Sequence, residues 1–358
     1  MNIQEQVPLA PLTTLGVGGP ARYFAEAVTA ADVVLAVDFA RSRNLPLFVL
    51  GGGSNLVVAD TGFPGLVLKI SIRGVHQRKE DGKAVFEAGA GEEWDAFVAR
   101  TVAGNCAGVE CLSGIPGTVG GTPVQNVGAY GQEVSETITE VLVFDLRHGL
   151  IHTLCESACG FGYRTSIFNT SEQGRYIVLR VTFELEPGGE PRILYRDLKN
   201  YFADRTGTPT LEDVRKAVRE IRRSKAMLIV AGDEDCRSAG SFFKNPVLTA
   251  EQHRDLSARV AARGLNIPSY PALEQAHKVP AGWLVENAGF RKGFTRGRVG
   301  ISRKHALAIV NRGGATAAEI IALTNDIQAA VADQFGIALV PEPVFVGFQA
   351  GETARSLA

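Results

Sequence analysis

The sequence predicts an α+β protein, with strands and glycine-rich loops in its first half and capped helices more frequent later. Three observations predict it. Glycine accounts for 40 of 358 residues, well above the roughly 7 % of an average protein, which calls for many tight loops. Four stretches repeat one helix-start pattern, a threonine followed three residues later by an acid or amide: Thr29/Asp32, Thr210/Asp213, Thr249/Gln252 and Thr316/Glu319. Short apolar runs of strand length alternate with the glycine loops.

In chain order, Thr29 opens a helix through Val33, Val34, Val37 and Phe39. LPLFVL (45–50) reads as a buried strand that breaks into Gly51-Gly52-Gly53-Ser54-Asn55, after which NLVVAD resumes strand character. AVFEAG (84–89) is a further strand. Glu92 to Val102 is a helix with Trp94, Phe97, Val98, Thr101 and Val102 on one face. Strands follow at 138–145 and 176–185. Near residue 207 the character changes, and a strongly charged helix runs from Thr210 to about Lys225. An acidic loop and an apolar turn, AGDEDCRSAGSFFKNPV, lead to the helix capped by Thr249. The last helix, from Thr316, carries Ile320, Leu323, Ile327, Val331 and Phe335 on a stripe and stops at Gly336. No internal repeat or low-complexity tract interrupts this order.

Composition narrows the function. The chain is 45 % hydrophobic and 21 % charged with a net charge of −1, so no global field draws it to nucleic acid or membrane. No run approaches the ~18 apolar residues a spanning helix needs. The N-terminus lacks a basic region followed by an apolar one, so a signal peptide is not expected and a cytoplasmic location is. Five cysteines, an odd number in a long chain, do not read as a disulfide framework. Cys106/Cys111 and Cys155/Cys159 lack the usual spacing of a thiolate zinc site; core thiols are expected and no metal.

Two loops carry the chemistry. Gly51–Asn55 follows a strand and suits a phosphate cradle of converging N–H groups, or a tight turn between strands; it matches neither a Walker loop nor a G-x-G-x-x-G fingerprint. GIPGTVGGTPVQNVGAYG (114–131) contains no charged residue. Two neutral glycine-dense loops can grip one large ligand by backbone donors and shape, which favours a dinucleotide over a free phosphate.

LGGGSNLVV (50–58), SGIPGTVGGTPVQNVGAYG (113–131), YRTS (163–166), AGSFFKNP (239–246) and AGWLVENAG (281–289), with TTLGVGGPARY (13–23), stand in the order and at about the spacing of the UDP-N-acetylenolpyruvoylglucosamine reductase family, which the chain resembles from about Leu12 to Gly347. The resemblance implies a two-subdomain FAD-binding module of the vanillyl-alcohol-oxidase (PCMH) type plus a separate α/β substrate-binding domain. Residues 1–72, with 345–358 returning to them, and 73–226 would form the FAD-binding subdomains, and 227–344 the substrate domain. It implies non-covalent FAD, NADPH as reductant and an enolpyruvyl ether of UDP-N-acetylglucosamine as substrate. A monomer is expected.

The resemblance also implies the site. FAD would lie on Gly51, Gly52, Gly53, Ser54, Asn55 and Leu56, and on Ser113, Gly114, Ile115, Pro116, Gly117, Thr118, Gly120, Gly121, Gln125, Asn126, Gly128, Ala129 and Tyr130, with Arg164 beside it. Reducing the enolpyruvyl group leaves negative charge next to a carboxylate, which needs preorganised positive charge and a proton donor. Arg164 matches the carboxylate-binding arginine, Ser241 the proton donor and Glu342 the third catalytic residue. The family often reads Leu-Glu-Pro-Glu-Val-Arg around that glutamate; this chain has Val340 at the first glutamate and Pro343-Val344 after Glu342. Tyr195 falls where one class of the family closes a tyrosine over the nucleotide. Lys225, Asn245, Tyr270, Lys278 and Asn287 match further substrate contacts. Two alternatives stay open: another FAD-dependent alcohol or sugar oxidase of the same fold, and a non-catalytic nucleotide-binding module.

Overall fold

The computed structural model describes residues 1–271 and 276–349. Its helices are α1 (Ala30–Ser42), α2 (Trp94–Ala103), α3 (Arg196–Tyr201), α4 (Leu211–Ser224), α5 (Ala250–Ala261), α6 (Ala281–Asn287) and α7 (Ala317–Phe335). The first-turn N–H groups of a helix have no partner within it, so a side chain must supply one. At α1, α4, α5 and α7 the predicted threonine accepts from the backbone three residues on, and the side chain there bonds back to the threonine amide. Gly336, at φ 71°, ends α7 in the left-handed conformation.

Helix α2 buries Trp94, Phe97, Val98, Thr101 and Val102, the five residues of its predicted face. It starts at Trp94 rather than Glu92, because the backbone before it is engaged elsewhere: Val119 N–H donates to Glu92 O (2.9 Å) and Trp94 N–H to Gly117 O (3.1 Å). Phe97 lies 4.8 Å from Phe183 and 6.0 Å from Phe86 between ring centroids, and Trp94 5.6 Å from Phe97. Such pairs contribute about 0.5–1.5 kcal/mol each beyond the area they bury.

The chain divides into two compact units. The first takes residues 1–7, 21–53 and 64–229. Its largest sheet has the order Leu150–Cys155, Ile138–Asp145, Tyr176–Pro187, Lys83–Gly89, Val75–Glu80, antiparallel throughout, with Cys106–Ala107 paired to the end of Tyr176–Pro187. A four-stranded sheet runs Ile3–Pro8, Pro20–Ala27, Phe63–Ile70, Leu47–Leu50, its last pair parallel. Val33, Ala36, Val37 and Ala40 of α1 join Leu66 and Leu68 in the core.

The second unit takes residues 8–20, 54–63 and the chain from Val230. Leu56–Val58 pairs in parallel with Val344–Val346. Thr295–Arg296, Val299–Ile301 and Ile309–Asn311 form one antiparallel sheet; Val247–Leu248, His277–Lys278 and Tyr270–Pro271 form another. The α7 stripe, Ile320, Leu323, Ile327, Val331 and Phe335, is fully buried with Leu15, Phe242, Phe243 and Leu284. The segments 8–20 and 54–63 therefore group with residues more than 200 positions away in the sequence.

Candidate active site

The first glycine loop divides between the units: Gly51–Gly53 belong to the first, and Ser54, Asn55 and Leu56 to the second. In the first unit Gly52 packs backbone to backbone on Gly117 of the second loop, and Gly51 lies beside the Thr118 side chain. A Cβ on Gly52 would lie 2.5 Å from Gly117 Cα, and one on Gly51 would lie 3.1 Å from Thr118 Oγ1. Among the described residues no protein group accepts from the amides of Gly52, Gly53, Gly117 or Thr118. The two loops thus bring together four unpaired donors with no charged side chain in either loop, which suits an anionic group held by backbone dipoles.

Charged residues beneath fix the second loop. Gly114 N–H donates to Asp95 Oδ1 (2.6 Å), and Gly114 O accepts from Arg222 Nε (3.1 Å). Arg215 holds Asp95 with both nitrogens, at 2.6 and 3.2 Å, and Arg219 joins them. Burial pushes the Asp95 carboxyl up, but the Arg215 and Gly114 hydrogen bonds outweigh it and leave it below the usual range. Arg222 is buried, also donates to Met227 O (2.7 Å), and has its affinity for protons lowered by that burial. Ser113 is buried with its hydroxyl on Glu110 O (2.6 Å), and Gly120 N–H donates to Ala90 O (2.8 Å). Ser113, Gly114 and Gly120 therefore shape the loop, their amide or hydroxyl donors already taken. Ile115 and Pro116 follow Gly114 on the same loop, and Gly121 is open, with nothing within 4 Å of an added Cβ. Asp95 and Arg222 were not legible in the sequence, since neither has a motif of its own.

Three predicted residues adopt left-handed backbone: Asn126 (φ 43°), Tyr130 (φ 50°) and Arg164 (φ 58°). Residues other than glycine pay for this conformation and keep it where the surroundings fix them. Asn126, 1 % exposed, donates to Glu133 Oε2 (2.8 Å) and Gly162 O (3.0 Å) and accepts from Ser135 N–H (3.1 Å). It ties the segment after Gln125 to the one that carries Arg164. Gly128–Ala129 and Gln132–Glu133 form a hairpin whose two-residue turn is Tyr130-Gly131, both at positive φ, as a type I′ turn requires. Arg164 Nη2 donates to Gly128 O (2.7 Å), and a Cβ on Gly128 would lie 3.1 Å from Arg164 Nη1. The glycine makes room for the guanidinium. Tyr130 is buried, and that burial pushes its hydroxyl up to about 12. Tyr195, 48 % exposed, meets it edge to face at 5.5 Å. Lys225, at the end of α4, pairs with Asp197 of α3 at 2.5 Å.

In the second unit the predicted serine and glutamate come together. Phe243 bridges Pro341, Lys244 N–H donates to Val340 O and Glu342 N–H to Phe242 O, both at 2.9 Å. Ser241 and Glu342 therefore lie on neighbouring antiparallel segments. Among the described residues the Ser241 side chain has no hydrogen-bond partner. Asn55 brackets Glu342: its Nδ2 donates to Glu342 O (3.3 Å) and its carbonyl accepts from Val344 N–H (2.9 Å). Pro343 lacks an amide, but the bonds fall on the residues either side of it, so the departures at Val340 and Pro343 leave the pairing intact. Asn245 Oδ1 accepts from Ala281 N–H at the start of α6 (2.9 Å), and Asn287 donates to Trp283 O at its end (2.8 Å). Lys278 and Tyr270 are cross-strand partners, with Tyr270 exposed. Arg164 belongs to the first unit and Ser241 and Glu342 to the second.

A family model described as FAD binding domain matches residues 21–154, and one described as UDP-N-acetylenolpyruvoylglucosamine reductase, C-terminal domain matches 232–346. The UDP-N-acetylenolpyruvoylglucosamine reductase of Thermobifida fusca is 48 % identical over 97 % of this chain and 98 % of its own. That of Streptomyces coelicolor is 46 % identical over 96 % of this chain and 91 % of its own. The crystal structure of the Thermus caldophilus enzyme of that name superposes with a TM-score of 0.65 at 27 % identity, covering 97 % of this chain and 99 % of the other. The residues present fit a flavin dinucleotide: the four unpaired amides suit its diphosphate, and neither loop carries a competing charge. The fold is thus the FAD-binding module with a separate C-terminal domain, and the chain belongs to the UDP-N-acetylenolpyruvoylglucosamine reductase family.

Proposed function

We propose that this protein uses bound FAD to reduce the enolpyruvyl ether of UDP-N-acetylglucosamine to the lactyl ether, giving UDP-N-acetylmuramate for peptidoglycan synthesis, with NADPH as the reductant. Residues 1–72 and 73–226 form the FAD-binding subdomains and 227–344 the substrate-binding domain. The Gly52, Gly53, Gly117 and Thr118 amides hold the FAD diphosphate. The chemistry supplied when FAD is bound is a hydride, taken from NADPH and passed to the terminal enolpyruvyl carbon.

The chain's own residues handle the charge that results. Arg164 binds the substrate carboxylate as a fixed, always-charged fork and stabilises the enolate that develops there. Ser241 Oγ donates its proton to the carbon next to the carboxylate. A hydroxyl is a weak acid, so it donates only once that carbon is strongly basic. Glu342, on the neighbouring segment, lies beside the same centre. Tyr195 covers the nucleotide as an uncharged aromatic, and Lys225, Asn245, Tyr270, Lys278 and Asn287 contact the sugar diphosphate. The enzyme acts as a monomer in the cytoplasm, where its two charged nucleotide substrates are found.

The observation that supports this reading best is the pairing of the Ser241 and Glu342 segments with the serine hydroxyl uncommitted. The test separates the two half-reactions anaerobically. In Ser241→Ala, NADPH should still bleach the yellow protein, while reoxidation by the enolpyruvyl sugar nucleotide falls by about 10²–10⁴-fold, the usual worth of a positioned proton donor. Unchanged reoxidation would refute the role of Ser241.

A further inference from the structure

The segment before Ser241 carries charges that the proposed chemistry does not use. Asp235 is completely buried, and its carboxylate accepts from both the backbone N–H (3.2 Å) and Nε (2.8 Å) of Arg303. On either side of this pair Lys304 Nζ reaches Asp233 Oδ2 at 2.5 Å and Arg303 Nη2 approaches Glu234 at 3.8 Å. Arg312 Nη1 stands 3.9 Å from Asp235 Oδ1. A buried carboxylate with such partners costs much to disturb, because removing its hydrogen bonds leaves an uncompensated charge.

The same two segments meet again beyond the ion pairs. Phe242 N–H donates to Leu307 O at 2.8 Å. Asp235 is six residues before Ser241, and Arg303 is four residues before Leu307. The two chains are therefore clamped at Asp235–Arg303 and at Phe242–Leu307, and Ser241 is the last residue before the second clamp. Between them, Ser238 bridges Val310, Thr14 Oγ1 donates to Ser238 O (2.7 Å), and Arg237 exchanges hydrogen bonds with Asn311 (2.9 Å each way). Gly240, at φ 74° with nothing within 4 Å of an added Cβ, is tied to this stretch by its N–H, which donates to Ser238 Oγ (3.3 Å).

From this arrangement we propose that Asp235 and Arg303 are positioning residues for Ser241: their ion pair sets the path of the chain into Gly240 and so aims the serine hydroxyl at the reacting carbon. The inference rests on the role given to Ser241 above. Neither residue touches the substrate, and their effect is confined to proton delivery.

The experiment uses the flavin-loaded enzyme and three variants, Asp235→Asn, Arg303→Gln and Arg303→Lys, with Ser241→Ala as reference. Asp235→Asn keeps the shape and removes the charge. Reoxidation of the reduced enzyme should slow by about 10–100-fold, the effect of moving a reacting group by roughly 1 Å. Arg303→Gln should slow it less, because Asp235 keeps the Arg312 side and the backbone amide. Arg303→Lys should restore part of the rate. Bleaching by NADPH and the substrate KM should stay near wild type, and the solvent isotope effect on reoxidation should rise as proton transfer becomes limiting. If Asp235→Asn does not fold, the two Arg303 variants carry the same test. Reoxidation within about twofold of wild type in the folded variants, or an equal fall in bleaching and reoxidation, overturns the proposal. If Ser241→Ala itself leaves reoxidation intact, the reading of Ser241 fails and this inference falls with it; if only the Asp235 and Arg303 variants are silent, this inference alone fails.

Discussion

Gly52→Ala is the sharpest perturbation of the cofactor site. The added Cβ would lie 2.5 Å from Gly117 Cα and 2.9 Å from its carbonyl carbon. Carbons pack best at about 3.5–4.0 Å, so one loop must retreat by roughly 1 Å. Both neighbours are backbone, so no rotamer change relieves the clash. Overpacking of this kind costs about 1–3 kcal/mol. The same shift takes the Gly52 and Gly117 amides out of register with an anion, losing about 1.5–3 kcal/mol for each hydrogen bond to a charged group. Together the affinity for FAD should fall by about 10²–10⁴-fold, at one decade per 1.4 kcal/mol. The assay is titration of flavin-free protein with FAD, followed by quenching of FAD fluorescence. Gly104→Ala is the control: its Cβ would make no contact closer than 3.4 Å, and FAD affinity should not change. A Gly52→Ala protein that binds FAD as tightly as wild type would refute the backbone-cradle argument.

Three further outcomes can be measured. Asn126→Ala should destabilise the protein by about 2–4 kcal/mol in denaturant, because Gly162 O and Ser135 N–H lose their buried partner; Asn126→Gly should cost about 1 kcal/mol less, since φ 43° suits glycine. Stability should fall as pH rises between 10 and about 12: the unfolded chain releases the Tyr130 proton near 10, whereas the folded protein keeps it to about 12, so the folded state binds more protons across that window. Tyr130→Phe should flatten this alkaline slope, and an unchanged slope would show that Tyr130 does not cause it. Acid precipitation should leave the yellow flavin in the supernatant, because the cofactor is held by backbone groups; a yellow pellet would point to a covalent link.

The sequence alone determined the local structure. The capping threonines, the buried face of α2 and the stripe of α7 depend on neighbours three or four positions away, so spacing reveals them. The glycine loops were legible because glycine reports directly on close backbone approach, as Gly52 against Gly117 bears out. The strand Val75–Glu80 was missed because its residues are mostly polar and exposed, leaving no apolar alternation to read. What only the tertiary structure decided is which distant segments meet. Asn126 reaching Gly162, Asp95 gripping Gly114, and Asp235 clamped to Arg303 each join segments far apart in the sequence that no motif announces. Segments 8–20 and 54–63 join the C-terminal unit for the same reason: hydrogen bonds such as Ala59 to Val346 are chosen by the packed core, and one-dimensional order carries no signal of them.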